Sequence, residues 1–332
     1  MPEPLDRRIS AAPMMGCTDR HCRTLLRLIS PHALLYTEMI TTGALLHGDT
    51  ERFLAHGHDA PCGVQLGGSD PEGLATSARL AAQAGYQEVN LNVGCPSGRV
   101  QQGGIGACLM AEPQLVADCV GAMQAEVDIP VTVKSRIGID DQDSYDFFCR
   151  FVDTVRGGGC QVFIVHARKA ILSGLSPREN RDIPPLRYEF VRQIREDFPD
   201  LTFVINGGIK DSDAALALLD EFDGVMLGRA LYGDPWLLAT LERSLYGTEP
   251  PDRLAVLDAY RDYMARRIAR GERFKDMARH LLGFFTGKRG ARAFRRTLSE
   301  HMFRADADLD VLDNALVESG LAEAYPMADT GT

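Results

Sequence analysis

Short apolar, β-branched segments alternate with amphipathic segments across roughly the first 240 residues of the chain. We predict strands near residues 9–14, 34–40, 63–66, 88–92, 131–135, 162–166, 202–206 and 224–227. Segments with apolar residues at helical spacing lie between them, for example at 71–84, 113–126, 144–155, 188–198 and 212–221. This alternation is typical of an α/β fold, the (β/α)8 or TIM barrel. The alternative is an open doubly wound sheet, but residues 13–17 lack the glycine fingerprint that usually follows its first strand.

The strand pattern stops after Trp236, and the rest of the chain has helical spacing at 254–269, 274–285 and 291–303. The 332 residues exceed the roughly 250 that one such barrel needs. We therefore predict two domains, a catalytic TIM barrel at 1–245 and an all-α helical domain at 246–332.

Composition excludes several classes of protein. Hydrophobic residues make up 45% and charged residues 25%, which excludes disordered and collagen-like chains. The sequence contains no apolar run of membrane-spanning length and no signal-like start, so we expect a cytoplasmic protein. The 8 cysteines form no C-x-x-C pair, which argues against disulfides and metal ligation. Most of them are expected to be buried as small hydrophobes.

Charge is unevenly distributed. The whole chain has a net charge of −10, yet residues 252–304 contain fourteen Lys or Arg and six Asp or Glu. A basic segment on an acidic body indicates contact with a polyanion, while a solvated helical surface is the alternative. The candidate contacts lie around a Gly-Lys-Arg-Gly turn and the helix that follows it: Lys288, Arg289, Arg292, Arg295 and Arg296.

Chemically useful side chains stand at the ends of successive predicted strands. In chain order they are Gln65, Asn92 with Cys95, Lys134, His166, Asn206 and Arg229. In a TIM barrel the carboxyl ends of the strands converge on one mouth, where catalytic residues lie. Each residue alone can be structural, but their shared register predicts an active site.

The last two strand ends indicate a phosphate site. Gly207, Gly208 and Gly228 can let backbone N–H groups approach an anion, and Arg229 can bind its oxygens. The alternative is that these glycines only make tight turns.

The other polar strand ends suit flavin mononucleotide. Gln65 can donate to and accept from the edge of the isoalloxazine ring, and His166 lines the same mouth. A cation at Lys134 would stabilise the anionic reduced ring. The alternative for Lys134 is a Schiff base, as in aldolases. That alternative leaves Cys95 unexplained.

Cys95 lies between a strand end and Pro96, in a glycine-containing loop that can turn its side chain towards the cavity. An ordinary thiol is mostly protonated at neutral pH, so it can act as a general acid as well as a nucleophile. Burial as a structural cysteine fits Cys119 and Cys149, which lie in helical patterns, better than it fits Cys95.

These residues belong to a wider pattern that resembles the tRNA-dihydrouridine synthase family, in particular its DusA subfamily. The resemblance covers residues 12 to 236 and continues more loosely through the basic helices. It rests on the segments 12–14, 93–97, 99–101, 106–110, 133–134, 166–170, 184–186 and 204–208.

The resemblance implies an FMN enzyme that reduces the C5–C6 bond of uridine in the tRNA D-loop, at positions 20 and 20a, with NADPH as reductant. It implies that Cys95 protonates C5 while flavin N5 delivers hydride to C6, and that Asn92 faces the target base or its ribose. The implied flavin contacts are Pro13, Met14, Met15, Gln65, Lys134, His166, Asn206, Gly208, Gly228 and Arg229.

A tRNA substrate gives the basic segment a function, and a loop after the sixth strand adds Lys169, Arg178 and Arg181 as contacts from the barrel side. Two alternatives stay open. One is an FMN-dependent reductase of free pyrimidines, of the dihydroorotate dehydrogenase type. The other is a tRNA-binding scaffold without catalysis.

Overall fold

A computed structural model describes residues 5–321 and contains an eight-stranded parallel sheet. Its strands are β1 (Ile9–Ala11), β2 (Leu35–Thr41), β3 (Cys62–Gly67), β4 (Glu88–Val93), β5 (Val131–Arg136), β6 (Val162–His166), β7 (Thr202–Asn206) and β8 (Gly224–Leu227). From β2 to β8 each strand pairs with the next along the chain, and β1 pairs with β8. The Ala11 N–H donates to the Leu34 carbonyl at 3.0 Å, so β1 also meets the start of β2. The predicted TIM barrel is confirmed.

The strands lie where hydrophobic patterning predicted them, with one clear difference. The first strand ends at Ala11, three residues before the predicted end at Met14. Pro13 has no N–H to donate, so the β-ladder cannot continue through it. The chain instead turns at Met14, whose N–H donates to the Thr18 hydroxyl at 2.9 Å.

Helices alternate with these strands and continue beyond them. In chain order they are α1 (Arg20–Ile29), α2 (Thr42–His47), α3 (Thr50–Phe53), α4 (Pro71–Gln83), α5 (Gly98–Gln102), α6 (Pro113–Gln124), α7 (Tyr145–Gly157), α8 (Tyr188–Asp197), α9 (Ser212–Leu219), α10 (Arg229–Gly233), α11 (Leu237–Tyr246), α12 (Arg253–Ile268), α13 (Phe274–Ala278), α14 (Ala291–His301) and α15 (Leu309–Glu318). Several barrel helices begin at side-chain caps. Asp70 accepts from the Gly73 N–H ahead of α4, and Ser144 accepts from the Phe147 N–H ahead of α7.

The chain forms two compact units. Within the described residues, the barrel unit comprises 5–18 and 32–228, and the helical unit comprises 19–31 and 229–321. Helix α1 therefore belongs to the helical unit, although it follows β1 in sequence. The functional division at 1–245 and 246–332 stays a prediction, and residues 1–4 and 322–332 lie outside the described part of the chain. Between residues 5 and 321, no helix is both long and apolar enough to span a bilayer.

A partly buried polar network lies at the start of α1 in the helical unit. Asp19 caps this helix by accepting from the N–H groups of His21 and Cys22 at 2.9 and 3.0 Å. Its carboxylate also contacts Arg279 and lies 3.0 Å from Nε2 of His280. Burial alone would raise the pKa of Asp19, but hydrogen bonding and charge from His280 lower it well below its usual range. The network therefore fixes an ionised carboxylate inside the unit.

His21 belongs to the same network as a neutral ring. Its Nδ1 lies 2.7 Å from the Tyr263 hydroxyl and its Nε2 lies 3.2 Å from Glu272. Burial lowers the pKa of His21 to about 4, against the opposing charges of Asp19 and Glu272. Protonation of His21 therefore favours the unfolded chain.

We predict that the helical unit loses stability as the pH falls from about 6.5, the ordinary value for histidine, to about 4. In this window the unfolded chain binds the proton and the folded chain does not. The full effect is about 3 kcal/mol in the free energy of unfolding. Urea unfolding of the wild type and of His21→Gln checks this, because glutamine can replace both hydrogen bonds without titrating. Equal pH slopes for the two proteins would contradict it.

Candidate active site

Strand register brings the predicted polar residues together at the carboxyl end of the barrel. Asn92 on β4 pairs with Lys134 on β5, and His166 on β6 pairs with Asn206 on β7. Arg136, the last residue of β5, pairs with the same His166. Four of the predicted residues thus lie on adjacent strands, as the convergence of strand ends requires.

The loop that carries Cys95 is held by its backbone. Asn92 Oδ1 accepts hydrogen bonds from the N–H groups of Gly94 and Cys95, at 3.1 and 3.0 Å. On the other side, the Ala107 N–H donates to the Cys95 carbonyl at 2.9 Å. Gly106 has a φ of +82°, and a Cβ there would lie 2.6 Å from that carbonyl oxygen. The half-buried thiol therefore stands on a fixed backbone.

The remaining cysteines divide into two groups. As expected, several are buried: Cys22, Cys62, Cys119 and Cys160. The others, Cys17, Cys108 and Cys149, are partly exposed like Cys95. The expected burial of Cys149 is therefore wrong, and exposure alone does not single out Cys95. Cys95 is distinguished by its position at the barrel mouth, where hydrogen bonds fix both its backbone N–H and its carbonyl.

Lys134 lies inside the mouth with one amide partner. Its Nζ donates to Asn206 Oδ1 at 3.1 Å, and Asn206 Nδ2 donates to the Met226 carbonyl at 2.7 Å. Burial, together with the charge of Arg136, lowers the pKa of Lys134 to about 8, while nearby Cys95 opposes the shift. The site thus contains an ammonium group whose pKa has moved towards neutral pH, in the neighbourhood of Cys95.

His166 is a neutral ring at this mouth. Burial and the positive charges of Arg136 and Lys134 hold its pKa well below the usual range. A neutral imidazole offers one donor and one acceptor, which suits hydrogen bonding to a polar ring. Gly207 makes room for it, since a Cβ there would lie 2.5 Å from Cδ2 of His166.

Arg136 is a further residue of this site, and it was not among the predicted site residues. Its Nε donates to the Gly94 carbonyl at 3.0 Å, and its Nη1 donates to the carbonyls of Lys169 and Asn180 at 2.9 Å each. Only 2% of the residue is exposed, and burial lowers its pKa to about 10. One guanidinium therefore ties the Cys95 loop to the loop after β6. The sequence signal that could have identified it is its position as an arginine at the end of a predicted barrel strand.

The glycines predicted to cradle a phosphate have different surroundings. Gly207 and Gly208 have φ values of +107° and +74°, and a Cβ at Gly208 would lie 2.4 Å from Leu186. Glycine is thus needed there for the turn and the packing. At Gly228 an added Cβ would meet nothing closer than Met14 Sδ, at 3.6 Å. Of the three, Gly228 has the most open backbone, and Arg229 follows it with an exposed side chain.

The donor set fits an anionic, carbonyl-bearing cofactor such as FMN. It includes the Lys134 ammonium group, the neutral His166 ring and the buried amides of Gln65 and Asn206. Pro13 and Met14 are half-buried and Met15 is 65% exposed, so their flavin contacts stay predictions, as do those of the glycines and Arg229. Across residues 5–321, no three potential ligands gather into a metal site.

The predicted RNA contacts differ in their surroundings. Lys169 Nζ donates to the Asp140 carbonyl at 2.9 Å and pairs with Asp143 at 2.8 Å, which gives it a role within its own loop. Arg178 and Arg181 are exposed. In the helical unit, Arg295 donates to the Leu282 carbonyl at 2.9 Å. The other predicted contacts there are exposed on or before α14: Lys288, Arg289, Arg292 and Arg296.

Comparison with known proteins identifies relatives along nearly the whole chain. Residues 10–320 match the family model described as dihydrouridine synthase (Dus). A protein of Pseudomonas syringae pv. tomato named tRNA-dihydrouridine(20/20a) synthase is 58% identical over 314 residues, which are 94% of each chain. Proteins of the same name from Escherichia coli K12 and Pseudomonas aeruginosa PAO1 are 54% and 56% identical, over 95% of this chain and 94% and 96% of theirs.

A solved 2-naphthoyl-CoA reductase complex has a similar fold. The TM-score is 0.54 at 10% identity, and the match covers 72% of this chain and 50% of that one. At this identity the likeness shows the fold alone.

We predict that Arg136→Leu lowers the free energy of unfolding by about 3 kcal/mol, because three carbonyls are deprived of a charged donor. It should also speed tryptic cleavage after Arg178 and Arg181, since the loop after β6 is no longer anchored. Arg156→Leu is the matched control, because Arg156 forms an exposed ion pair with Asp200. Urea unfolding and timed digestion measure both effects. Unchanged cleavage at these two sites would contradict the anchoring role.

Proposed function

Because the chain belongs to the dihydrouridine synthase family, we propose that it is a tRNA-dihydrouridine synthase that reduces uridines 20 and 20a in the D-loop. The proposal includes FMN as the bound cofactor, NADPH as the reductant and action in the cytoplasm with the tRNA. The observation that carries it is the half-buried Cys95 thiol at the barrel mouth, on a loop that Asn92 and Arg136 hold by hydrogen bonds. An oxidoreductase that saturates a pyrimidine needs a positioned proton donor at such a mouth.

FMN, when bound, supplies the hydride that adds to C6 of the uracil ring. The protein's part is to hold the cofactor and the base. Lys134 would stabilise the negative charge of the reduced ring, and Gln65, His166 and Asn206 would offer neutral hydrogen-bonding groups to the cofactor. Arg229 is proposed to bind the phosphate, together with the backbone at Gly207, Gly208 and Gly228.

Cys95 is proposed to complete the reduction by protonating C5. Hydride addition at C6 leaves an electron pair at C5, which takes the thiol proton as the S–H bond breaks and the C5–H bond forms. The positive charges of Lys134 and Arg136 are near enough to interact with Cys95, so they would stabilise the charge that the thiol acquires as it gives up its proton.

The RNA must deliver its base into the barrel. Extruding a stacked uridine costs a few kcal/mol, which contacts to phosphates can offset. We propose that Arg178 and Arg181 supply such contacts from the barrel unit, with a smaller part for Lys169, whose charge is already paired. From the helical unit we propose Lys288, Arg289, Arg292, Arg295 and Arg296.

We predict that Cys95→Ala still binds FMN and still oxidises NADPH slowly, yet forms no measurable dihydrouridine in tRNA. The reason is that alanine keeps the backbone hydrogen bonds of the loop but cannot donate a proton. Absorbance of the flavin, NADPH consumption and mass spectrometry of digested tRNA measure the three properties. Cys149→Ala, at another partly exposed cysteine, is the control and should keep full activity.

Three results, one from that experiment and two from the wild-type protein, would contradict the proposal. Undiminished dihydrouridine from Cys95→Ala would remove the thiol from the mechanism. Equal wild-type activity on free uracil or orotate would favour a free-pyrimidine reductase. A wild-type protein that retains tRNA but no flavin would be a scaffold.

We also predict that tRNA affinity falls on the order of a thousandfold between about 50 and 200 mM salt, because phosphate binding releases counterions. Arg292→Gln combined with Arg296→Gln should reduce the slope of log affinity against log salt by about one for each arginine that binds a phosphate. Arg195→Gln is the control, since Arg195 pairs with Asp223 on the barrel surface. Filter binding across a salt series measures the slopes. A flat salt response, or equal slopes for the double variant and the control, would contradict the basic interface.

A further inference from the structure

A continuous row of polar side chains runs through the barrel interior to the Cys95 loop. It begins at Glu88, the first residue of β4, which has no exposed surface. Glu88 Oε1 accepts from the Tyr36 hydroxyl and the Thr132 hydroxyl, at 2.6 Å each, and Oε2 pairs with Arg7. A carboxylate is therefore held at the amino end of the strands.

Three side-chain amides lead from Thr132 towards the mouth. Asn90 Nδ2 donates to the Thr132 hydroxyl at 2.9 Å, and Gln65 Nε2 donates to Asn90 Oδ1 at 2.8 Å. Asn92 Nδ2 then donates to Gln65 Oε1 at 2.8 Å. Asn92 Oδ1 accepts from the backbone N–H groups of the Cys95 loop. We call this series, Glu88, Thr132, Asn90, Gln65 and Asn92, the amide row.

The two ends of the amide row fix the orientation of every amide between them. A paired carboxylate only accepts, so the Thr132 hydroxyl must donate to it, and its oxygen is then left to accept from Asn90. Backbone N–H groups only donate, so Asn92 must turn its oxygen towards the Cys95 loop. Reversing any one amide would place two donors or two acceptors face to face in a buried site.

This orientation limits what Asn92 can offer to a ligand. Its Oδ1 already accepts two hydrogen bonds, and its Nδ2 uses one of two N–H groups on Gln65. One N–H remains. Asn92 can therefore bind a carbonyl oxygen, such as those of uracil, and cannot bind an amino group through its own oxygen.

We propose that Thr132 and Asn90 are positioning residues for the reaction, which fix Asn92 as a hydrogen-bond donor to the base and hold the Cys95 loop in place. This inference rests on the proposed function of Cys95 and on the prediction that Asn92 faces the target base. Neither Thr132 nor Asn90 has any exposed surface, so both act only through the amide row. Burial of these polar groups would also be expected if they only stabilised the fold. The experiment must therefore distinguish positioning of the reacting groups from stabilisation.

The experiment compares Thr132→Val with Thr132→Ser. Valine keeps the shape but leaves Asn90 without an acceptor, whereas serine restores the hydroxyl. Ser10→Ala is the matched control, because Ser10 is a buried barrel residue whose hydroxyl donates to the Val225 carbonyl. Two properties are measured on the FMN-loaded protein. They are the rate at which iodoacetamide alkylates Cys95, from mass spectrometry of its peptide, and kcat and KM for tRNA.

We expect Thr132→Val to raise the alkylation rate of Cys95 about threefold or more, because the loop is no longer held by a fixed anchor. Its kcat should fall between about tenfold and a hundredfold, since small misplacements of reacting groups have effects of this size. Thr132→Ser should restore both values, and Ser10→Ala should change neither while lowering thermal stability. Asn90→Ser gives the same test through a second variant, should Thr132→Val fail to fold.

An unchanged or slower alkylation rate in Thr132→Val and Asn90→Ser would overturn the inference, as would failure of serine to restore it. An equal effect from Ser10→Ala would also overturn it, because the role would then be structural. Alkylation does not require turnover. A faster rate in Thr132→Val, in a protein that forms no dihydrouridine, would support the amide row and contradict only the proposed function.

Discussion

The position of the Cys95 thiol depends on the pair of hydrogen bonds that Asn92 Oδ1 accepts from the backbone of Gly94 and Cys95. A loop after a strand can take many conformations, and these bonds select one. They join the loop to β4, and Arg136 joins the same loop to β5 through the Gly94 carbonyl. Parallel strands that end at one mouth make such short connections possible. The barrel thus acts as a rigid support for one reactive side chain.

Burial of several cations gives this mouth its electrostatic character. Lys134 and Arg136 have lowered pKa values, and His166 stays neutral beside them. A site of this kind attracts negative charge, whether on a reduced ring, a phosphate or a thiolate. The network around Asp19 in the helical unit also contains buried charge, but there the carboxylate is paired with Arg279 and His280.

Much of the barrel could be predicted from sequence because strand burial leaves a periodic signal, and most of the predicted strand ends were placed within a residue or two. The polar residues at strand ends were predictable for the same reason. Thr132 and Asn90 were not, since a polar residue inside an apolar strand gives no hint of its partners. Likewise, the apolar face of α1 does not indicate which unit the helix packs in. The ion pair of Lys169 with Asp143 depends on a loop conformation that the sequence pattern does not predict.

The central claim is that this mouth reduces a uridine within tRNA. The most direct measurement maps dihydrouridine at nucleotide resolution in an unmodified tRNA transcript incubated with the protein, FMN and NADPH. We expect uridines 20 and 20a of the D-loop each to gain the mass of two hydrogens, and no other nucleotide to change. A transcript that keeps its original mass under these conditions, while NADPH is consumed by the flavin-loaded protein, would contradict it.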